Sequence, residues 1–416
     1  MPLNILILSH FAGSPTHGMV IRNFLLAREW VRQGHTVTIL SSDFSHYRAV
    51  QPTHKGWKKV EYIEGIKFIW VRGLRYKASS SFGRVLAMAW FTAQCYIQQF
   101  FNNGKYNAVI ASSPHPFVIY PAASIARRHN AYLIYDIRDL WPLTPIHLGG
   151  HSPGHPFIRA LQHAEDFACR HADLVIAVQE NAEEYLQQHG LEDGRFLHIA
   201  NGYSCVDRPP EPLPDQVTNI LTKARRSGAF LVGYCGTLGT ANAMALLIEA
   251  LAHSDKRLHV AILGDGPDKA MLKEIALAHG VVDRAHFFNA IPKAAVSSFL
   301  EQVDATYVGG LPSPLYKYGT SLTKINDYLL ACKPVIYGLG DPQNVVRISG
   351  AGIEYAPGSL ESLIKALDQM VNLSQKQRNE MGESGRAWLK ENRQMSVLSA
   401  SVITKVQQIG KRTNVK

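Results

Sequence analysis

Short apolar, β-rich runs alternate from end to end of this chain with stretches whose apolar residues recur at helical spacing. That alternation specifies an α/β class fold in which parallel strands are wound with helices. In the first half the strand runs are NILILSH, HTVTILS, IKFIWVR, NAVIAS, AYLIYDI, DLVIAV and FLHIA, separated by helices such as one around residues 20–31. The segment NGYSCVDRPPEPLPDQ then gathers prolines and turn residues without periodicity, which predicts a hinge near 201–214. A second alternating set follows in AFLVGYCG, HVAILG, AHFFNA, ATYVGG, PVIYGLG and AGIEYA. The expectation is two doubly wound, Rossmann-like domains in series, with a ligand site at the strand rim of the second facing the cleft between them.

Two cores are within reach of 416 residues that are 46% hydrophobic. Met1 leads almost at once into NILILSH, with no basic n-region or long h-region, so a cytoplasmic protein is expected. Cys95, Cys169, Cys205, Cys235 and Cys332 form no C-x-x-C pair, which suits buried free thiols in a reducing compartment. Charge is uneven: residues 1–160 hold 17 Lys and Arg against 6 Asp and Glu, net +11, whereas the remainder nets −1. Lys55, Lys58, Lys59, Lys67, Arg72, Arg75, Lys77 and Arg84 crowd one stretch with Trp57, Tyr62, Trp70 and Tyr76, followed by the apolar run RVLAMAWFTAQCYIQQFF. This pattern fits a surface that docks on anionic lipid, or equally a solvated basic face over a core helix. Gln94, Gln98 and Gln99 interrupt the run, so it should not span a bilayer, and no nucleic-acid reader motif accompanies the basic residues.

Three turns in the second half point to phosphate. Gly233, Gly236 and Gly239 stand between a strand and a helix, and Gly264 and Gly266 occupy the same place one unit later. In LYKYGTSLTKINDYLLACKP, Ser321 and Thr323 offer short oxygens at a helix start, Lys324 brings an ammonium to the first turn and Asp327 follows one turn after Thr323. Apolar Ile325, Tyr328 and Leu329 give that helix its core face and leave Lys324 and Asp327 free, either for a nucleotide diphosphate or for solvent. The G-x-x-G-x-x-G spacing is not the dinucleotide fingerprint, and no acidic residue ends a second strand where the ribose of NAD would want it. No metal site is expected, because no D-x-D run follows a strand. His115, His129, His147, His151, His155 and His163 lack ligand spacing and read as scattered surface residues. No G-x-S-x-G supports a nucleophilic triad.

Several further segments are HFAGSPTHGMVIRNFLLAREWVRQGHTVTIL, DIRDLWP, HIANGYS, GYCGTLG, ILGDGP, the S-x-x-K-x-x-D-Y-L-x-A-x-K-P-V-I segment, AGIEYAPGS and MGESGRAWLKEN. In order and spacing they together resemble the retaining nucleotide-sugar glycosyltransferases of the family-4 type with the GT-B fold. Within that family they are most similar to bacterial transferases of O-antigen and capsule assembly that move N-acetylated amino sugars such as fucosamine. The resemblance implies an acceptor-binding domain over 1–205, a nucleotide-sugar domain over 206–395 and a helix over 396–416 that crosses back to the first. It implies sugar transfer from a nucleotide diphosphate donor, UDP-linked, to a lipid-linked or glycan acceptor, without a metal or other cofactor, at the inner-leaflet membrane surface. Lys324 and Asp139 are then the catalytic candidates, with Arg138 or Asp136 able to exchange roles with Asp139. Gly18, Arg22, Gly236, Thr237, Gly239, Gly266, Ile291, Ser321, Leu322, Thr323 and Asp327 would surround the donor. Two departures stand out: the earlier of two family glutamates falls on Gly319, and the cations that usually follow the G-T-L-G turn are replaced by T-A-N-A-M-A. Lys324 would then carry more of the diphosphate charge, with Lys317 or Arg22. Alternatives are a sugar-nucleotide epimerase or phosphorylase of the same architecture and a non-catalytic scaffold.

Overall fold

The computed structural model describes residues 1–18, 21–76, 82–98, 104–204 and 211–409. Parts of five sequence expectations therefore lie outside the described residues: residue 20 of the first helix, Lys77 of the basic stretch, 99–101 at the end of the apolar run, 205–210 of the hinge with Cys205, and 410–416 of the C-terminal helix. The chain divides into two compact units, Met1–Ser204 with Met395–Lys416, and Cys205–Gln394.

The first unit is built on β1 (Asn4–Leu8), β2 (Thr36–Ser42), β3 (Lys58–Ile63), β4 (Ile66–Val71), β5 (Ala108–Ser112), β6 (Tyr132–Ile137), β7 (Leu174–Ala177) and β8 (Phe196–His198). Their order across the sheet is β3-β4-β2-β1-β5-β6-β7-β8. All neighbours are parallel except β3 and β4, which pair antiparallel from Lys58 opposite Val71 to Ile63 opposite Ile66. The sequence reading placed no strand at 58–63, because its lysines and glutamate read as a solvated face. An edge strand accepts such residues, since only one of its sides must pair. The central strands are buried on both faces and carry near-continuous Ile, Leu and Val, as a covered parallel sheet requires.

Helix Arg22–Arg32 follows β1 and buries Phe24, Leu26 and Trp30. The C-terminal helix Met395–Gln408 joins the same core through Met395, Val402, Ile403 and Val406, and Trp30 Nε1 donates to the Ser399 carbonyl at 2.9 Å. Helix Phe82–Gln98 buries Ala87, Met88, Phe91 and Cys95 and leaves Phe82 and Leu86 exposed. Among the described residues no helix is long and apolar enough to cross a membrane.

The second unit holds β9 (Phe230–Cys235), β10 (Leu258–Leu263), β11 (Ala285–Phe288), β12 (Ala305–Gly309), β13 (Val335–Gly338) and β14 (Gly352–Glu354). They form a six-stranded parallel sheet in the order β11-β10-β9-β12-β13-β14. Its first strand lies mid-sheet: the chain winds out through β10 and β11, then crosses to β12 on the other side of β9. The strand order therefore reverses between β9 and β12, which is where connections leave in opposite directions and open a crevice at the carboxyl ends.

Candidate active site

The crevice beside β9 receives helix Thr323–Leu330, the helix that follows β12. Its buried Ile325, Tyr328 and Leu329 hold it against the sheet, and Tyr328 Oη accepts the Cys235 N–H at 2.9 Å. That seating carries Lys324 across the switch point. Its Nζ donates to Asn242 Oδ1 at 2.7 Å and to Tyr234 Oη at 3.1 Å, and stands 4.4 Å from the centre of the Tyr234 ring. A Cβ added at Gly236 would lie 3.4 Å from the same Nζ. Lys324 is therefore half-buried rather than a free, solvated residue, and burial lowers its pKa to about 8.

The glycine turns pack on one another. A side chain on Gly264 would meet the Gly236 carbonyl oxygen at 1.9 Å, and one on Gly266 would meet the Leu238 carbonyl oxygen at 2.1 Å. Gly236 N–H donates to the Leu263 carbonyl and Leu238 N–H to the Asp265 carbonyl, so the two loops form a single ledge. Gly266 is thus a packing glycine. Gly239 differs: its Cβ position opens on empty space, and its φ of −143° suits any residue. Thr237 lies in the ledge, where its carbonyl accepts from Tyr234 Oη at 2.7 Å and from Asn242 Nδ2 at 3.1 Å. Ile291 lies beyond β11, half-buried in the loop that Lys269 anchors by donating to the Gly264 and Phe288 carbonyls, Asp265 and Asn289.

The helix start differs from the sequence expectation. Leu322 is the residue at the cap position, and neither Ser321 nor Thr323 supplies a side-chain cap. Ser321 Oγ instead accepts from Arg393 at 3.3 Å, and the adjacent Thr320 donates to the buried Asp341 at 3.0 Å. A first turn without a side-chain cap suits an anion, because its N–H groups and the helix dipole point there. One turn on, Asp327 pairs with Lys293 Nζ. The structure thus brings together Lys324, Gly236, Thr237, Gly239, Thr323 and Asp327, and adds Tyr234, Asn242 and Lys293.

In the first unit Gly18 has φ +87° and closes a turn onto the Ser14 carbonyl, with Ala49 directly beneath it. Arg22 is 4% exposed, and its Nε, Nη1 and Nη2 donate to Asp136, Asn201 and the carbonyls of Ile199 and Ala200. This corrects the expectation that Arg22 supplies a cation to phosphates: it ties the first helix to the ends of β6 and β8. Asp136 is equally committed, accepting from Arg22 and from Ser112 Oγ at 2.8 Å. Asp139 remains exposed, and the protein crowded around it raises its carboxyl pKa against the opposing pull of Arg138 and Arg84. His115 is 0% exposed rather than a surface residue, and its Nδ1 lies 3.3 Å from that of His10, which stacks between Phe11 and Phe91. Burial holds both imidazoles neutral.

Both units match known families. The family described as "Glycosyl transferase 4-like domain" matches residues 17–202, and that described as "Glycosyl transferases group 1" matches residues 218–388. The chain belongs to the family-4 type glycosyltransferases with the GT-B fold. Among solved structures it is similar to sucrose-phosphate synthase from Thermosynechococcus elongatus, at 14% identity and TM-score 0.74, covering 98% of each chain. It is similar to Anabaena HepE in complex with UDP-glucose, at 15% identity and TM-score 0.67, covering 98% of this chain and all of that one. It also resembles WaaG, a glycosyltransferase involved in lipopolysaccharide biosynthesis, at 14% identity and TM-score 0.66, covering 97% of this chain and 100% of the other. Comparison with curated proteins finds no match.

Tyr234 and Asn242 were not singled out from the sequence. Tyr234 reads as one more apolar strand residue in FLVGYC. Asn242 was passed over as part of a stretch without a cation, although that lack was itself the signal that another side chain must fill the position.

Proposed function

We propose that this glycosyltransferase moves a sugar, with retention at the anomeric carbon, from a nucleotide diphosphate donor to a lipid-linked or glycan acceptor in cell-surface polysaccharide assembly. The observation that carries the reading is the Lys324 ammonium, placed at the Gly236 turn beside a helix start that has no side-chain cap. Departure of the leaving group builds negative charge on the β-phosphate. The Lys324 ammonium and the N–H groups of Gly239, Thr323 and Lys324 stabilise that charge, so no metal is required of the site. Asp327 accepts the ribose hydroxyls once Lys293 releases it, and the backbone about Ile291 borders the base. Asp139 is the acceptor-side polar group in the first unit.

The solved complex of HepE with UDP-glucose favours a UDP-linked donor, and the role of WaaG in lipopolysaccharide synthesis favours a cell-surface product. An N-acetylated amino sugar is the donor sugar that the resemblance of the sequence supports. Replacing Lys324 by Ala should remove about 3 kcal/mol of transition-state stabilisation, more than a hundredfold in turnover. The assay is release of UDP from UDP-linked amino sugars, with thermal unfolding run beside it. Turnover near that of the wild type would reject the reading.

A further inference from the structure

The contacts of Lys324 close into a ring. Lys324 Nζ donates to Tyr234 Oη and Asn242 Oδ1, and both of those side chains donate onward to one acceptor, the Thr237 carbonyl. Each role is forced. The Tyr234 hydroxyl spends its proton on Thr237 at 2.7 Å, so only its lone pairs face the ammonium. Asn242 gives its NH₂ to the same carbonyl at 3.1 Å, which turns its Oδ1 toward Lys324. Two of the three ammonium protons are thus committed, and among the described residues the third has no acceptor. The ring is itself fixed, because Tyr234 is the next-to-last residue of a central strand and Ala243, beside Asn242, holds a left-handed φ of +48° that starts the next helix.

We propose that Tyr234 and Asn242 are positioning residues that hold the Lys324 ammonium with one proton directed at a phosphate oxygen of the nucleotide. The inference rests on the function proposed above and names what replaces the cation missing after the G-T-L-G turn: Asn242 stands in that stretch as the acceptor that draws Lys324 into it. The titratable groups that face the ammonium are Tyr234 and Cys235 from β9; Asp327 and Tyr328 from its own helix and Lys293 from the turn beyond β11 are grouped about the same Cys235. Cys235 is buried and held neutral, and Asp327 is paired with Lys293, so the ring supplies the nearest acceptors of the charged form.

The test uses the full chain and two readouts. Lysine ¹³Cε NMR, with the resonance assigned through Lys324→Arg, follows the titration of Lys324, and calorimetry follows UDP affinity across the same pH range. Asn242→Ala and Tyr234→Phe each remove an acceptor, so the titration should move to lower pH and UDP should bind roughly tenfold more weakly. Asn242→Asp adds a negative charge and should move the titration to higher pH, a shift that mere loosening of the loop would not produce. A Lys324 titration that is the same in all three variants overturns the ring. Affinity lost in Lys324→Ala but unchanged in Asn242→Ala and Tyr234→Phe overturns the positioning role alone. Affinity indifferent to Lys324→Ala overturns the underlying reading.

Discussion

A half-buried ammonium holds a diphosphate only while it is charged. Burial sets the Lys324 pKa at about 8, so nucleotide affinity should be level through neutral pH and fall as pH rises through about 8. Lys324→Arg keeps its charge far above that range and should lose the alkaline fall, even where its different geometry lowers affinity. Isothermal titration with UDP at a series of pH values checks both; a wild-type profile flat to pH 10 contradicts the burial argument. Asp327→Asn should weaken UDP by roughly 1.5–3 kcal/mol through a charged hydrogen bond, whereas Lys293→Ala should leave the fold unchanged, since an exposed ion pair contributes little. Lys324 and Asp327 were legible in the sequence because helical spacing sets them off the apolar face. Arg22 was misread because a guanidinium near a glycine loop looks the same in sequence whether it faces a ligand or three buried carbonyl and carboxylate acceptors. The buried imidazole of His115 was hidden for a related reason: spacing tests for metal ligands say nothing of burial.

Elements were easier to read than residues, because a parallel sheet writes itself as repeated apolar runs with turns at fixed places. Strand β3 escaped that logic as an antiparallel edge whose pairing is decided by β4 rather than by its own composition. The glycine turns were visible as a set, but the sequence could not separate those that admit a ligand from those that admit a neighbouring loop. The structure separates them by the space around each Cβ. Gly266→Ala would drive a methyl group into the Leu238 backbone, and overpacking of this kind costs about 1–3 kcal/mol, so its melting temperature should fall. Gly239→Ala meets nothing within 4 Å and needs no unusual φ, so its melting temperature should stay that of the wild type while UDP affinity drops. Differential scanning calorimetry beside UDP titration distinguishes the two. A destabilised Gly239→Ala, or a Gly266→Ala protein of unchanged stability, would reverse these assignments.

At the scale of the molecule, charge divides the chain more sharply than composition does: net +11 over residues 1–160 against −1 for the rest. The structure shows where part of that excess meets apolar surface. At one end of the β3–β4 hairpin, Arg72 N–H donates to the Trp57 carbonyl, and Trp90 of helix Phe82–Gln98 donates to the Arg72 carbonyl at 2.7 Å. This joins Trp57, 68% exposed, to exposed Lys55, Lys58, Arg72, Leu74 and Arg75, and the same helix begins with Phe82 at 73% exposed. Lys59, on β3, pairs with Glu61 at 3.3 Å. Apolar rings amid exposed surface cations are what an anionic bilayer surface binds, each cation contributing about 1 kcal/mol within a Debye length of the lipid. A lipid-linked acceptor would place this face at the membrane. The quadruple reversal Lys55→Glu, Lys58→Glu, Arg72→Glu and Arg75→Glu should release the protein from vesicles rich in phosphatidylglycerol. It should also slow transfer to a lipid-linked acceptor while leaving UDP affinity at the wild-type value, because Lys324, Asp327 and the glycine turns beside them lie in the other unit. Raising salt should release the wild type in the same way, and Trp57→Ala should weaken binding at every salt concentration, since its contribution is apolar. Flotation in which the wild type fails to bind at low salt, or binds no better than the reversed variant, would leave the patch as an ordinary solvated face.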